Sequence, residues 1–93
     1  MNIVKRDGRK VPFKKEKIED AIMKAFNAVG DIDETYAKAK AENIANYIEE
    51  LAQNQDKPFT VEEIQDLVEK GLTSLKHKDV AKAYILYRNK RNI

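Results

Sequence analysis

KRDGRK, residues 5–10, lies near the start of the chain between two short apolar segments. Asp7-Gly8 at its centre is one of the strongest short-range signals for a β-hairpin, because these residue types tolerate the positive φ angles of a tight turn. We therefore predict a hairpin over about residues 2–13, closed by a two-residue turn at Asp7 and Gly8. This hairpin decides the fold class, since the rest of the chain shows helical periodicity.

The predicted turn also sets which residues face each other across the two strands. A two-residue turn places Arg6 opposite Arg9, Lys5 opposite Lys10, and Val4 opposite Val11. Like charges directly opposite each other destabilise a strand pair. A hairpin tip that concentrates four positive charges is therefore expected to bind an anion.

The composition indicates one small domain with a heavily charged surface. The chain has 93 residues, of which 42% are hydrophobic and 37% are charged, enough for one modest core. It has no cysteine, which excludes a disulfide framework, a thiolate nucleophile and a cysteine-ligated zinc site. No stretch approaches the roughly 18 apolar residues of a membrane span, and Met1 is not followed by a signal-peptide core. We expect a single cytoplasmic domain over residues 1–93, with no membrane partner.

The net charge of +2 hides a strong segregation of charge along the chain. Residues 1–17 carry seven basic and two acidic side chains, and residues 76–93 carry six and one, so each end has a balance of +5. The middle, residues 18–75, carries five basic and thirteen acidic side chains. If the two ends meet in the fold, they form one concentrated positive site.

Helical periodicity and end signals predict four helices after the hairpin. Apolar residues recur every three or four positions, and helix ends are marked by Gly30, Asp33 and a Thr60–Glu63 capping box. The predicted helices span about residues 15–29, 34–53 and 61–74, followed by a fourth helix that is capped by Asp79 and runs to about residue 91. Residues 57–60 are placed to add a short third strand to the hairpin. The predicted fold class is α+β, a four-helix bundle capped by a small β-sheet.

Residue types and motifs that are missing from the sequence indicate which anion the basic segments would bind. Proteins that read single-stranded nucleic acid interleave aromatic with basic residues, and KRDGRK has no aromatic residue. A nucleoside triphosphate suits a dense local site, but the chain has no GxxxxGK[ST] or GxGxxG loop, so side chains would hold its phosphates. The single histidine, His77, is expected to be a solvated residue of the connector before the last helix. We expect neither catalytic residues nor a metal site, so the chain is not expected to be an enzyme.

Three segments of the chain resemble one known family in order and spacing. They are VKRDGRKVPFKKEKIEDAI near the N-terminus, TVEEIQDLVEKGL in the third helix and DVAKAYILYRNKR at the end. Over essentially all 93 residues the sequence is similar to the ATP-cone, a nucleotide-sensing domain at the N-terminus of many ribonucleotide reductases. The resemblance implies four helices with a small β-sheet cap, ATP as the activating ligand and dATP as the inhibiting ligand. The first and last segments are most similar to anaerobic, glycyl-radical ribonucleoside-triphosphate reductases, which implies a regulatory fragment of such an enzyme.

The resemblance also implies the residues of a nucleotide-binding site. These are the phosphate contacts Lys5, Arg6 and Lys17, the base wall of Ile3, Val4 and Val11, the polar positions Lys14 and Thr60, and the C-terminal basic cluster of Arg88, Lys90 and Arg91. The amides at the start of the third helix would favour phosphate near Thr60 in any case. The implied site draws on both basic ends of the chain.

The implied partners are adenine nucleotides and the remainder of the reductase catalytic subunit, with assembly into an oligomer that depends on nucleotide. The sequence leaves open whether Mg²⁺ accompanies the phosphates. An alternative host is the repressor of reductase genes, in which the same domain belongs to a nucleic-acid-binding, transcription-regulating protein. In that protein a zinc ribbon precedes the cone, whereas this chain starts at the cone and has no cysteine, so nucleic acid is not the expected partner.

Overall fold

The computed structural model describes residues 1–91, which form two short strands and four helices. The strands are β1 (Asn2–Val4) and β2 (Lys10–Pro12), and the helices are α1 (Lys15–Val29), α2 (Glu34–Gln53), α3 (Val61–Ser74) and α4 (Lys78–Arg91). The predicted α+β class, a four-helix bundle capped by a small β-sheet, is confirmed. Within this described part, no helix has the length and apolarity needed to cross a membrane.

The hairpin closes through a three-residue turn, so the predicted two-residue turn was wrong. The Lys5 N–H donates to the Arg9 carbonyl at 2.8 Å, and the Gly8 N–H donates to the Lys5 carbonyl at 2.9 Å. Gly8 adopts a φ of +88°, whereas Asp7 is not in the left-handed region. An Asp-Gly pair is compatible with both turns, and here the glycine alone supplies the left-handed residue after a type I turn.

The longer turn shifts the strand pairing by one residue. Ile3 lies opposite Val11 and Val4 lies opposite Lys10, instead of the predicted pair of Val4 with Val11. A one-residue shift exchanges the faces of the sheet on which paired side chains lie. The observed register puts Ile3 and Val11 together on one face, and Ile3 packs against the core of the bundle.

The like-charged pairs predicted at the hairpin tip, Arg6 with Arg9 and Lys5 with Lys10, do not form, because the observed register places Lys5 opposite Arg9. Instead the Asp7 carboxylate accepts hydrogen bonds from the Arg9 backbone N–H at 3.1 Å and from Arg9 Nε at 2.7 Å. The backbone N–H of Arg9 holds the pKa of the Asp7 carboxyl below its usual value, and the Arg9 side chain adds to this effect. The turn therefore neutralises one of its own arginines.

The predicted third strand is reduced to a single bridge. Val4 and Thr60 form an isolated parallel bridge, in which the Val4 N–H donates to the Phe59 carbonyl at 2.9 Å. Thr60 is also the N-cap of α3, so the chain enters the helix directly after the bridged residue. The bridge nevertheless attaches the hairpin to the start of α3.

Three of the predicted helix ends are confirmed: Gly30 ends α1, Asp33 caps α2, and the Thr60–Glu63 capping box begins α3. The start of the last helix differs from the prediction. α4 begins at Lys78, and Asp79 lies in its first turn, where the carboxylate accepts the Val80 N–H at 2.8 Å. The predicted cap at Asp79 was wrong because the His77 carbonyl already accepts the Ala81 N–H.

The core lies between the four helices, and every helix contributes buried apolar side chains to it. The largest fully buried side chains are Ile22, Phe26, Ile48, Val68, Leu72 and Val80. α2 and α3 approach closely at Gly71, where an added Cβ would lie 3.2 Å from Ile44 Cγ1. A side chain at position 71 would therefore require the Ile44 side chain to move by a few tenths of an ångström.

His77 is not the solvated loop residue that the sequence suggested. Its Nε2 lies 2.6 Å from the Tyr36 hydroxyl oxygen, and its ring packs edge-on against Phe26 with 5.6 Å between centroids. The connector between α3 and α4 folds back onto α1 and the start of α2, which half-buries the imidazole. The prediction failed because Tyr36 and His77 are 41 positions apart in the sequence.

The end of α3 allows a prediction about stability. Lys76 has a φ of +64°, and its N–H bonds the Thr73 carbonyl while the His77 N–H bonds the Leu72 carbonyl, which together form a Schellman motif. A Cβ at a left-handed position costs about 1–2 kcal/mol. Lys76→Gly should raise the free energy of unfolding by about 0.5–1 kcal/mol, net of the entropy that glycine adds to the unfolded chain. Urea denaturation measures this change.

Lys70→Gly is the matched control, because Lys70 is an exposed residue in the interior of α3. There the same substitution should lower the free energy of unfolding by about 1 kcal/mol. If Lys76→Gly also loses stability, the backbone at Lys76 is not strained and the prediction is wrong.

Candidate functional site

A groove runs between the hairpin and the helices α1, α3 and α4. It consists of two adjoining depressions, the apolar cavity and the basic pocket. The apolar cavity, of about 270 Å³, is lined chiefly by Ile3, Val11, Phe13, Ile18, Ala21, Ile64, Tyr84 and Tyr87. The basic pocket, of about 280 Å³, is lined by Lys5, Arg6, Asp7, Arg9, Val61, Gln65 and Arg91. Lys5, Val61, Gln65 and Arg91 line both depressions, so the two are continuous.

The apolar cavity depends on the hairpin register. Ile3 and Val11 form one cross-strand pair, and both line the cavity. Lys5, two residues after Ile3, lies on the same face of the strand and brings a positive charge to the cavity. Tyr84 and Tyr87 of α4 also line it, with their ring centroids 6.4 Å apart. The cavity therefore offers an apolar, partly aromatic surface with a cation at one edge.

Tyr84 is buried in this wall, with only 4% of its surface exposed. Removal from water raises the pKa of its phenol to about 12, and the positive charge of Arg88 offsets only part of that rise. The phenol is neutral at physiological pH, as an exposed tyrosine also is, and burial extends this neutrality into the alkaline range. It adds no negative charge to a wall that an anion would approach.

The basic pocket brings together the two basic ends of the chain. Lys5, Arg6 and Arg9 come from the hairpin, and Arg91 comes from the last turn of α4. Arg91 also lies over the Tyr87 ring, 6.0 Å from its centroid. Three of the seven basic residues of the N-terminal segment thus meet one of the six of the C-terminal segment.

Two of the four cations in the basic pocket are already paired. Arg6 Nε lies 2.7 Å from Glu62 Oε1, and Arg9 Nε lies 2.7 Å from Asp7 Oδ2. The other two cations have no carboxylate within 4.0 Å in the part of the chain that the structure describes. The pocket is therefore positive overall, although two of its charges have partners.

Seven of the eleven residues implied by the resemblance line the groove. Ile3, Lys5, Val11, Lys14, Lys17 and Arg91 line the apolar cavity, and Arg6 lines the basic pocket. Two others lie outside it. Val4 pairs with Lys10 and has its side chain on the other face of the hairpin. Thr60 serves as a helix cap, with its Oγ1 accepting the Glu63 N–H at 3.1 Å.

The three basic residues at the end of α4 leave the helix in different directions. Arg88 is 15% exposed, and its Nη1 donates to Asp66 at 2.9 Å and lies 3.5 Å from a Glu69 carboxylate oxygen. Lys90 lines a separate depression between α1 and α4. Arg91 is the member of this cluster that reaches the groove.

Gln65 was not recognised from the sequence. It lies where the apolar cavity and the basic pocket meet, and its Oε1 is buried without a hydrogen-bond partner in the described structure. A buried acceptor without a donor costs about 1–3 kcal/mol, a cost that rotation of the amide toward a bound donor would remove. The available signal was a polar residue on the apolar face of α3, four positions after Val61 and three before Val68.

Comparison with known proteins relates these features to one family. The family model described as ATP cone domain matches residues 1–93. The chain is 40% identical over 92 residues to the anaerobic ribonucleoside-triphosphate reductase of Salmonella typhimurium, and 39% identical over 92 residues to that of Escherichia coli, covering 99% of this chain in each case. It is 44% identical over 94 residues to the vitamin B12-dependent ribonucleoside-diphosphate reductase of Thermoplasma acidophilum, covering 96% of this chain. The match covers 12% of each of these relatives, so the chain spans about an eighth of their length.

Tyr84→Phe tests the buried phenol of the apolar cavity. An alkaline absorbance titration should show a tyrosine ionisation near pH 12 in the wild type that is absent from the variant. The folded-state pKa lies above the unfolded-state value of about 10, so burial of the neutral phenol stabilises the fold fully below about pH 10. That contribution is lost as the pH rises from about 10 to about 12. A late ionisation that persists in Tyr84→Phe would belong to another group.

Proposed function

The chain belongs to the ATP-cone family, and from this membership we propose that it is an allosteric domain that binds ATP and dATP in the groove. The supporting observation is the continuity of the apolar cavity with the basic pocket through Lys5, Gln65 and Arg91. A nucleotide has the same division, with a flat base at one end and a polyanion at the other. Concave sites with apolar walls and a few polar groups are typical of ligands of this size.

The adenine ring is assigned to the apolar cavity, between the Ile3–Val11 pair and the tyrosines of α4. Apolar and aromatic walls recognise a flat base through burial and stacking, which a phosphate chain cannot use. Lys14 and Lys17, at the start of α1, line the same cavity. They add positive charge along the path from the base to the phosphates.

The triphosphate is assigned to the basic pocket. Lys5 and Arg91 are the cations there without a carboxylate partner in the described residues, so they are the first available to a phosphate. Hydrogen bonds from a charged donor to phosphate are short and strong, and a guanidinium can make two of them at once. Because Lys5 belongs to the hairpin and Arg91 to α4, a bound triphosphate would link the two ends of the chain.

Discrimination between ATP and dATP requires a group that senses the ribose 2′-hydroxyl. Gln65 lies at the junction of the two depressions, where the sugar of a nucleotide spanning them would lie. Rotation of the Gln65 amide would bring its Oε1, which has no hydrogen-bond partner in the described residues, to that hydroxyl as an acceptor. We assign the sensing of the 2′-hydroxyl to Gln65.

The regulated partner in this proposal is the catalytic chain of an anaerobic ribonucleoside-triphosphate reductase in the cytoplasm, with ATP as activator and dATP as inhibitor. No group of three or more metal-ligating side chains occurs within residues 1–91, so Mg²⁺ would be held mainly by the phosphates of the nucleotide. A nucleotide-dependent change in assembly is the expected output. Allosteric coupling needs two states that bind the ligand differently, and assembly provides them.

Calorimetric titration of the full chain, with and without Mg²⁺, tests the proposed function. ATP and dATP should each bind saturably, GTP should bind much more weakly, and a short DNA duplex should not bind at physiological salt. Equal affinities for ATP and GTP would indicate a general polyphosphate site. Duplex binding with a steep salt dependence would favour a transcription-regulating domain instead.

Replacing a cation that lines the groove should weaken ATP binding more than replacing an exposed cation that does not line it. Lys5→Ala and Arg91→Ala should each weaken ATP binding about 10- to 150-fold, which corresponds to about 1.5–3 kcal/mol for a hydrogen bond to a charged group. Lys10→Ala and Lys90→Ala are the matched controls, since both residues are exposed and neither lines the groove. Calorimetry gives the affinities, and circular dichroism checks the fold. Wild-type affinity in Arg91→Ala would exclude α4 from the phosphate site.

A further inference from the structure

Arg6 and Glu62 form an ion pair that joins the hairpin tip to α3. Arg6 Nε lies 2.7 Å from Glu62 Oε1, and the two side chains are 53% and 39% exposed. Arg6 also lines the basic pocket, whereas Glu62 does not. The guanidinium therefore lies between a carboxylate of the protein and the position assigned to the phosphates.

Glu62 has no capping role at the start of α3. The capping box uses the neighbouring Glu63, whose Oε1 accepts the Thr60 N–H at 2.9 Å. Within residues 1–91, the one charged partner of Glu62 is Arg6. The first turn of α3 thus contains two acidic residues with separate tasks, one for the helix and one for Arg6.

The second ion pair of the basic pocket is different in kind. Asp7 and Arg9 are two residues apart in the same turn, so their pair stays within the hairpin. The Arg6–Glu62 pair connects two separate elements of the fold. A change of partner at Arg6 would therefore alter the link between the hairpin and α3.

We propose that Glu62 competes with the phosphates of the nucleotide for Arg6, and that nucleotide binding transfers Arg6 from Glu62 to the phosphate chain. This proposal rests on the nucleotide site proposed above. An exposed ion pair is weak, whereas a guanidinium binds phosphate through paired, charge-assisted hydrogen bonds, so the exchange favours the nucleotide. Only a ligand whose phosphate chain reaches Arg6 causes the exchange. Occupancy by a triphosphate thus breaks the ion pair between the hairpin tip and α3, while the backbone bond from Val4 to Phe59 remains, and occupancy by a monophosphate leaves the ion pair in place.

Calorimetric titration of the full chain with ATP and with AMP tests this exchange. Glu62→Gln should tighten ATP binding about two- to fivefold, because the ion pair no longer has to be broken. AMP affinity should not change. Glu42→Gln is the matched control, since Glu42 is an exposed acid on α2, which does not line the groove, and it should leave ATP affinity unchanged.

The double variant shows whether Glu62 acts through Arg6. Arg6→Ala should weaken ATP binding, and adding Glu62→Gln to it should have no further effect. The same tightening in the Arg6→Ala background would mean that Glu62 acts as a general negative charge, which overturns the exchange. Unchanged ATP binding in Glu62→Gln would mean that Glu62 does not compete for Arg6, and weaker binding would mean that it positions Arg6.

Failure of the nucleotide site and failure of the exchange at Arg6 would give different titration results. Wild-type protein that does not bind ATP would overturn the nucleotide site and the exchange together. Wild-type protein that binds ATP with no gain in Glu62→Gln would overturn the exchange alone. Equal tightening of ATP and AMP in Glu62→Gln would exclude the dependence on phosphate-chain length.

Discussion

The register of the N-terminal hairpin is the constraint on which the groove depends. With Ile3 opposite Val11, the hairpin turns an apolar face toward the bundle and carries Lys5 to the junction of the apolar cavity and the basic pocket. The neighbouring register would exchange the two faces of the sheet. The Val4 N–H donates to the Phe59 carbonyl and so attaches the hairpin to the start of α3. This tertiary contact supports the register that the three-residue turn sets.

Most of the fold could be predicted from local signals. Apolar periodicity and the capping box at Thr60 and Glu63 act within one or two helical turns, and the helices that they predicted are confirmed. The register could not be predicted, because Asp7-Gly8 fits both a two-residue and a three-residue turn. The position of His77 was missed for a related reason, since its contacts with α1 and α2 exist only after the bundle has formed.

The sequence predicted that the site would be positively charged, but it did not predict how the side chains are arranged. Segregated charge indicated that the two ends would concentrate positive residues, and Lys5 and Arg91 do meet in the groove. The sequence could not say which cation of α4 faces that way. Successive residues of a helix differ by about 100° in direction, so helix packing sends Arg88 to the acids of α3 and Lys90 to the side of α1. Gln65 was missed because a glutamine on a helix looks solvated until its burial is known.

The strands of the hairpin have three residues each, and a two-stranded sheet of that size is not stable in water by itself. The bundle stabilises the hairpin through the hydrogen bond of the Val4 N–H to the Phe59 carbonyl and through the packing of Ile3 on the core. The segment that would grip a ligand is thus the segment with the least stability of its own. Because ordering a segment of low stability costs conformational entropy, a ligand bound to the hairpin would change its rigidity even where the helices keep their positions.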